Sequence, residues 1–418
     1  MLCGSLAGAF AGIEPFATWL YPLAWYPTLA LLEAAVASRD GRFFLFGRPG
    51  FLASALAWSV PFWLFFELLN LRLENWYYVF LPPDPAARVL GIALSFATVI
   101  PAILVAERLL DSLGLAEGAR LRPLRLPRLP ILPALGALML ALALGWPRTF
   151  YPLVWGGVFL AVDPWVLRHA PARSLLGDLE RGRPGRILRL LAAGLAIGIL
   201  WEAFNRGARG KWIYTVPGLE DLKLFEMPVA GFLGFPFFAL EAYAVWQALV
   251  VVGLAVPSEQ RDAWKKESHG VPRAAAGATA IAAIVFSALT IAAMHSETIA
   301  SVVPTIADLG APSTPLERLE IDDPWDLAGA DPAHLAAASG AGAAAAREWV
   351  ERARLATLRG IGTEGATRLE EAGIESVEEL ARVDPEHLAR SLETAGEPVQ
   401  PARVRVWVRA ARDAAHER

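Results

Sequence analysis

Two glutamates set inside long apolar runs, Glu67 and Glu202, are the residues of this sequence best placed to do chemistry. An ionisable side chain within a membrane span is expensive and usually faces a cavity or a partner. Each glutamate has an asparagine three residues on, Asn70 or Asn205, and so on the same helical face. Each is followed by an aromatic loop, with Trp76 and Tyr78 after the first and Trp212 and Tyr214 after the second. The chemistry this arrangement allows is that of a symmetric polar pocket roofed by four aromatic rings. The competing expectation is structural: Arg72, or Arg206, Arg209 or Lys211, would pair with the nearby carboxylate and fix the helix end.

Four other carboxylates fall in or beside apolar runs. Glu241 lies mid-run below Gly231-Phe232-Leu233-Gly234-Phe235-Pro236, where Pro236 should break the helix ladder and free carbonyls that only protein or cavity water can satisfy. Glu107 sits beside Arg108, which suggests a snorkelling ion pair. Glu33 and Asp163 lie near the ends of their runs, and a structural role is expected for both.

The elements that must position these groups come in two copies. Tyr21-Pro22-Leu23-Ala24-Trp25, with Glu33 after it, returns as Tyr151-Pro152-Leu153-Val154-Trp155 with Asp163. Glu67, Asn70, Trp76, Tyr78 and Pro82 return in order as Glu202, Asn205, Trp212, Tyr214 and Pro217, and Pro101 with Glu107 returns as Pro236 with Glu241. Ordered matches among such residues point to a duplicated unit with one polar set per copy.

That unit belongs in a bilayer. The 418 residues are 55% hydrophobic and only 19% charged, too apolar for an ordinary soluble chain of this size. The 15 tryptophans suit interfacial belts. Apolar runs at 16–37, 51–70, 87–110, 129–146, 149–167, 187–205, 228–256 and 274–294 predict eight spans, with 2–13 a candidate ninth. The first residues carry no basic n-region or clear cleavage site, so no removable signal peptide is expected.

Arginine and lysine gather in alternate loops. The groups are Arg39, Arg42 and Arg48; Arg108, Arg120, Arg122, Arg125 and Arg128; Arg168, Arg173, Arg181, Arg183 and Arg186; and Arg261, Lys265, Lys266 and Arg273. The positive-inside rule puts all four in the cytoplasm of a multi-pass inner-membrane protein. Equivalent spans are then four apart and share one orientation, so a twofold axis along the membrane normal should relate the copies.

Residues 301–418 differ in character, with 13 arginines and no lysine against 21 acidic residues, a net −8 that leaves the rest at +4. Eight spans would leave this tail outside the cytoplasm. It is itself duplicated: Asp331-Pro332-Ala333-His334-Leu335 returns as Asp384-Pro385-Glu386-His387-Leu388, and Trp349 is matched by Trp407. With Gly360-Ile361-Gly362 opening one helix and Gly373 ending it, the tail resembles tandem helix-hairpin-helix modules. Modules of that kind usually meet nucleic acid. A tail at −8 lacks the general attraction that phosphates require, so a protein partner is expected for 298–418 and nucleic acid is not.

The expected fold is all-α: a polytopic membrane helix bundle with a parallel internal duplication, plus a small helical tail. The expected boundaries are 1–128 and 129–256 for the repeats, 257–297 for a basic loop and final span, and 298–418 for the tail. No histidine pair has the spacing of a zinc helix, no glycine-rich phosphate loop is present, and Cys3 is the single cysteine. No metal and no cofactor are therefore expected.

Trp201-Glu202, the Gly210-Lys211-Trp212 loop and the span holding Pro236 and Glu241 together carry a likeness. Over residues 16–255 the chain resembles the lycopene cyclase domain of small bacterial, archaeal and fungal carotenoid cyclases, which is also built from two tandem membrane units. The resemblance implies cofactor-independent protonation of a polyene followed by ring closure, with a membrane isoprenoid as substrate. It casts Glu202 and Glu241 as proton donor and cation stabiliser, Glu67 as the symmetry mate, and Trp76 and Trp212 as rings facing a developing cation. The family's tight Pro-x-Glu-Glu cluster is replaced here by Pro236 with Glu241 and by Pro101 with Glu107. Two other classes suit the same features: a noncatalytic subunit that docks a partner through its tail, and a carrier of a small lipophilic or anionic molecule.

Overall fold

The computed structural model describes residues 1–126, 130–216, 222–258, 272–312, 316 and 319–416. Pro217, Arg128, Arg261, Lys265 and Lys266, which entered the repeat and the loop charges, lie outside the described residues. Helix dominates, as the all-α expectation requires; the only regular sheet among the described residues is two short strand pairs. The chain forms two compact units. The first contains Met1–Asn75, Val89–Ala208 and Gly218–Ser296; the second contains Trp76–Arg88, Arg209–Pro217 and Glu297–Arg418.

The first unit is made of α1 (Leu2–Phe10), α2 (Phe16–Asp40), α3 (Pro49–Leu73), α4 (Pro85–Ala97), α5 (Val99–Ser112), α6 (Ile131–Gly145), α7 (Pro147–Phe150), α8 (Val154–His169), α9 (Leu175–Glu180), α10 (Gly185–Gly207), α11 (Gly234–Val252) and α12 (Arg273–Glu297). Uninterrupted helix is what apolar chain must adopt in lipid, where no water satisfies the backbone. Among the described residues six stretches are long and apolar enough to cross a membrane: Pro49–Leu73, Pro85–Ser112, Pro147–His169, Gly185–Gly207, Val229–Val252 and Ala274–Glu297. Two of the eight expected spans are absent from that set. At 15 residues, α6 is short of the roughly 20 a span needs. With 25 residues α2 is long enough, but its tryptophans, tyrosines, prolines and Glu33 dilute its hydropathy.

Packing repeats with the sequence. In the first copy α1 packs on α2, and α5 on both α2 and α3; in the second α6 packs on α8, and α11 on both α8 and α10. Both third spans break ahead of their proline. The first breaks at Thr98, between α4 and α5, and the second runs as a 3-10 turn over Val229–Leu233 before α11 begins. In the first copy Ser59 bridges the break: its hydroxyl donates to the Phe96 carbonyl at 2.6 Å and accepts from the Ile100 N–H at 3.0 Å.

In the second copy glycine takes that place. A Cβ at Gly194 would fall on the Phe235 carbonyl oxygen and one at Gly198 on the Phe235 ring, so α10 and α11 meet through a Gly-x-x-x-Gly face. Because the atom met at Gly194 is backbone, Gly194→Ala should cost about 3 kcal/mol through overpacking. A melting temperature in detergent equal to wild type would refute this contact.

The second unit holds the two aromatic loops and the tail. Strand β1 (Trp76–Val79) pairs antiparallel with β2 (Lys211–Tyr214) in the register Trp76↔Tyr214, Tyr77↔Ile213, Tyr78↔Trp212. The equivalent residues Tyr77 and Ile213 face each other, so the pair is symmetric about its own centre. Segment 298–303 lies parallel on the other edge of β1: Tyr78 N–H donates to Thr298 and Ala300 N–H returns to Tyr78, both at 2.8 Å. A second hairpin, β3 (Lys223–Leu224) with β4 (Met227–Pro228), belongs to the first unit.

The tail contains α13 (Pro324–Gly329), α14 (Pro332–Ser339), α15 (Ala343–Thr357), α16 (Gly362–Glu371), α17 (Val377–Arg382), α18 (Pro385–Thr394) and α19 (Pro401–His416). Its duplication is visible in the packing, since α15 receives α13 and α14 as α19 receives α17 and α18. Asp331 and Asp384 cap the equivalent helices, accepting from the backbone N–H of His334 at 3.3 Å and His387 at 2.8 Å. Gly373, at φ +78°, ends α16 with Ile374 N–H donating to Leu369 at 2.8 Å. All seven helices share one apolar core that includes Leu327, Val350, Leu369, Leu380 and Trp407.

Candidate active site

Glu33 and Asp163 are the simplest of the buried carboxylates. Glu33, with no exposure, accepts from the backbone N–H groups of Phe44, Leu45 and Phe46 at 3.0, 2.9 and 3.3 Å. Asp163, equally buried, accepts from the Ser174 hydroxyl at 2.6 Å and from the N–H groups of Leu175 and Leu176 at 3.2 and 2.9 Å. The partners stand 11, 12 and 13 residues after the carboxylate in both copies. Each acid therefore fastens the loop that follows its span, the structural role expected for it.

Glu107 does form an ion pair, but with Arg189 of the other copy at 2.8 Å rather than with its neighbour. Arg108 binds Asp40 at 2.5 Å and Asp111 at 2.6 Å. Position explains the difference: consecutive helical residues project about 100° apart, which sends Glu107 towards α10 and Arg108 towards the end of α2.

Glu67, Asn70, Glu202 and Asn205 are all fully buried. Glu67 accepts from the Trp63 indole N–H, one turn earlier on α3, at 2.8 Å. Asn70 Oδ1 accepts from the Asn75 N–H at 2.9 Å and so closes the C-terminal end of α3. Arg209, one of the cations considered for Glu202, pairs with Asp323 at 3.1 Å and lies 3.8 Å over the Trp325 ring, all within the second unit. The four expected roof residues, Trp76, Tyr78, Trp212 and Tyr214, belong to that second unit as the paired strands, whereas the carboxylates belong to the first.

Glu241 has the most informative geometry. Its Oε1 accepts from the Gly156 N–H at 2.6 Å and the Val158 N–H at 3.1 Å, across from α11 to the start of α8. Those amides are available because α8 is broken there: Trp155 is non-helical and Gly156 has φ +113°, a conformation that favours glycine. The second oxygen, Oε2, is buried with no hydrogen-bond partner. Half-buried Pro236 lies at the start of the same helix, just after the 3-10 turn.

One turn before Glu241, Phe238 is the hub of an aromatic cluster that sequence reasoning missed. Its ring centroid lies 5.4–6.0 Å from those of Phe62, Trp63, Phe66, Trp155 and Trp201, which come from α3, α8 and α10. The Phe62-Trp63-Leu64-Phe65-Phe66 run ahead of Glu67 was the available signal. The cluster is also symmetric. Trp25 of the first copy packs on Trp201 of the second at 5.7 Å, and Trp155, the equivalent of Trp25, stacks on Phe66 of the first at 5.6 Å. The two copies thus exchange aromatic contacts, and Trp63 and Trp201 stand 6.5 Å apart beside their glutamates.

In chemical terms the first unit offers buried carboxylates set among ring faces that attract positive charge. Such an arrangement suits proton delivery to an apolar substrate and stabilisation of the cation that results. Comparison with known proteins reaches only the tail. No curated protein and no solved structure matches the chain, while residues 327–413 match a family described as a domain of unknown function, DUF4332.

Proposed function

We propose that the first unit is an enzyme that acts on an isoprenoid within the membrane, starting ring closure by protonating a polyene. The observation that supports this best is Glu241, one turn after Phe238 of the aromatic cluster: one carboxyl oxygen is fixed by two amides, and the other is buried with no hydrogen-bond partner. Oε2 is then the position from which a proton transfers to a terminal carbon–carbon double bond. The tertiary cation so formed is attacked by the next double bond, the ring closes, and loss of a ring proton to the Glu241 carboxylate restores the acid. No atom is gained or lost overall, and no cofactor enters.

In this reading Glu241 gives the proton and takes it back, the reverse of the order the resemblance implies; Glu202 stabilises the cation, and Glu67 is the symmetry mate of Glu202. The rings of Trp63, Phe66, Trp155, Trp201 and Phe238 face the cation. Exclusion of water, which the span interior provides, protects the cation from capture. The enzyme would reside in the inner membrane, with the acidic tail docking a protein partner outside the cytoplasm.

Expression in a lycopene-producing bacterium tests the reading. Wild type should shift the pigment profile, and Glu241→Gln and Glu202→Gln should each abolish the shift while leaving protein in the membrane. Abundant wild-type protein with an unchanged pigment profile would turn the assignment towards a carrier or a noncatalytic subunit.

A further inference from the structure

Away from the carboxylates, the first unit contains an open cavity of 580 Å³ lined mainly by arginine: Arg120, Arg181, Arg183, Arg186 and Arg189, against the two carboxylates of Glu117 and Asp178. It is a built feature. The chain after α5 is strapped to the α9–α10 loop by Leu121 N–H donating to Gly182 and Leu124 N–H donating to Leu179, both at 3.1 Å. Side chains at the bends would close it up: a Cβ at Gly185 would stand 2.8 Å from the Ala116 carbonyl oxygen, and one at Gly182 2.5 Å from that of Leu121.

The arginines divide into two kinds. Three are held by acids: Arg181 and Arg186 both bind Asp178 at 2.7 Å, and Arg189 binds Glu107 at 2.8 Å and Asp111 at 3.2 Å. Arg186 is further fixed by donating to the Tyr243 hydroxyl at 2.8 Å and to the Ala172 carbonyl at 3.1 Å. These three form a rigid wall. Arg120, by contrast, donates only to the carbonyls of Glu117 at 3.3 Å and Ala119 at 2.9 Å, and Arg183 has no ion pair among the described residues. The wall arginines are balanced by Asp178, Glu107 and Asp111, so the guanidinium groups of Arg120 and Arg183 are the charges left to the cavity. The 23-residue helix α10 also begins here, with no side chain capping its first amides, which adds the positive end of a helix dipole.

We infer that this cavity binds a phosphate or pyrophosphate group. Guanidinium groups grip phosphate oxygens in pairs. A volume within about 300–1,000 Å³ holds a headgroup rather than a lone ion. Its place at an arginine-rich end of the spans matches the basic pockets that hold anionic headgroups between helices. The inference uses none of the carboxylates assigned to the protonation chemistry, so the two can fail separately.

The test uses the full-length protein in detergent, with Arg120→Gln/Arg183→Gln as the variant. Native mass spectrometry with phosphatidylglycerol and, as a zwitterionic control, phosphatidylcholine forms one arm; calorimetry with inorganic pyrophosphate forms the other. Selective binding of phosphatidylglycerol identifies a lipid headgroup as the source, and pyrophosphate binding without lipid identifies a soluble ligand. In either case the double variant should bind about thirtyfold more weakly, at about 1 kcal/mol for each basic side chain. Glu117→Gln, which removes a lining acid, should bind more tightly, and this readout survives if the double variant misfolds. Equal binding of both lipids with no pyrophosphate binding, or binding unchanged across the variants, would overturn the assignment.

Discussion

Glu241→Ala should lower the stability of the first unit by about 4 kcal/mol, since two buried N–H groups would each lose their acceptor at about 1–3 kcal/mol. The amides are those of Gly156 and Val158, freed by the break in α8 and satisfied only across the packing with α11. Glu241→Gln keeps an oxygen at the same point and should melt close to wild type. The pair of variants separates support from chemistry: alanine should lose both fold and activity, and glutamine activity alone. Equal melting of the alanine variant and wild type in detergent would show that the carboxylate does not hold α8.

Removal of Glu33 should be comparably severe. Glu33→Ala leaves the N–H groups of Phe44, Leu45 and Phe46 without their common acceptor, and about 3–5 kcal/mol is expected from the loss of a buried, multiply bonded acid. Asp163→Ala should match it, because Ser174, Leu175 and Leu176 stand to Asp163 as those three residues stand to Glu33. The measurement is thermal melting of both variants in one detergent. A large loss at one site with none at the other would mean that the two loops, though alike in sequence, are not fastened in the same way.

What could be read from the sequence was local or repeated. Asp331, Asp384 and Gly373 mark helix ends because a cap is a contract between residues a few positions apart. Glu33 and Asp163 were legible as a pair because the duplication printed the same spacing twice. The contact of Glu241 with Gly156 and that of Glu107 with Arg189 were not, since each joins residues more than 80 positions apart. No local rule picks Phe238 from among 20 phenylalanines, because only packing makes it a hub. The pairing of the two aromatic loops as strands was not legible either, because four-residue strands leave too short a pattern for alternation to be recognised.

The symmetric strand pair has a third neighbour on the edge of β1, and that neighbour makes the two copies distinguishable. Two identical subunits meeting about Tyr77 and Ile213 would each present the same outer edge, and whatever paired with one would pair with the other. Segment 298–303 occupies the edge of β1, and a single chain carries only one such segment. A single duplicated chain can therefore carry what two identical subunits could not, an addition on one side alone. The two halves are accordingly not interchangeable in the folded chain. The same inequality shows in the first unit, where Glu241 holds the broken start of α8 and the residue five after Pro101, in the same place as Glu241 after Pro236, is Ala106, which has no acceptor to offer.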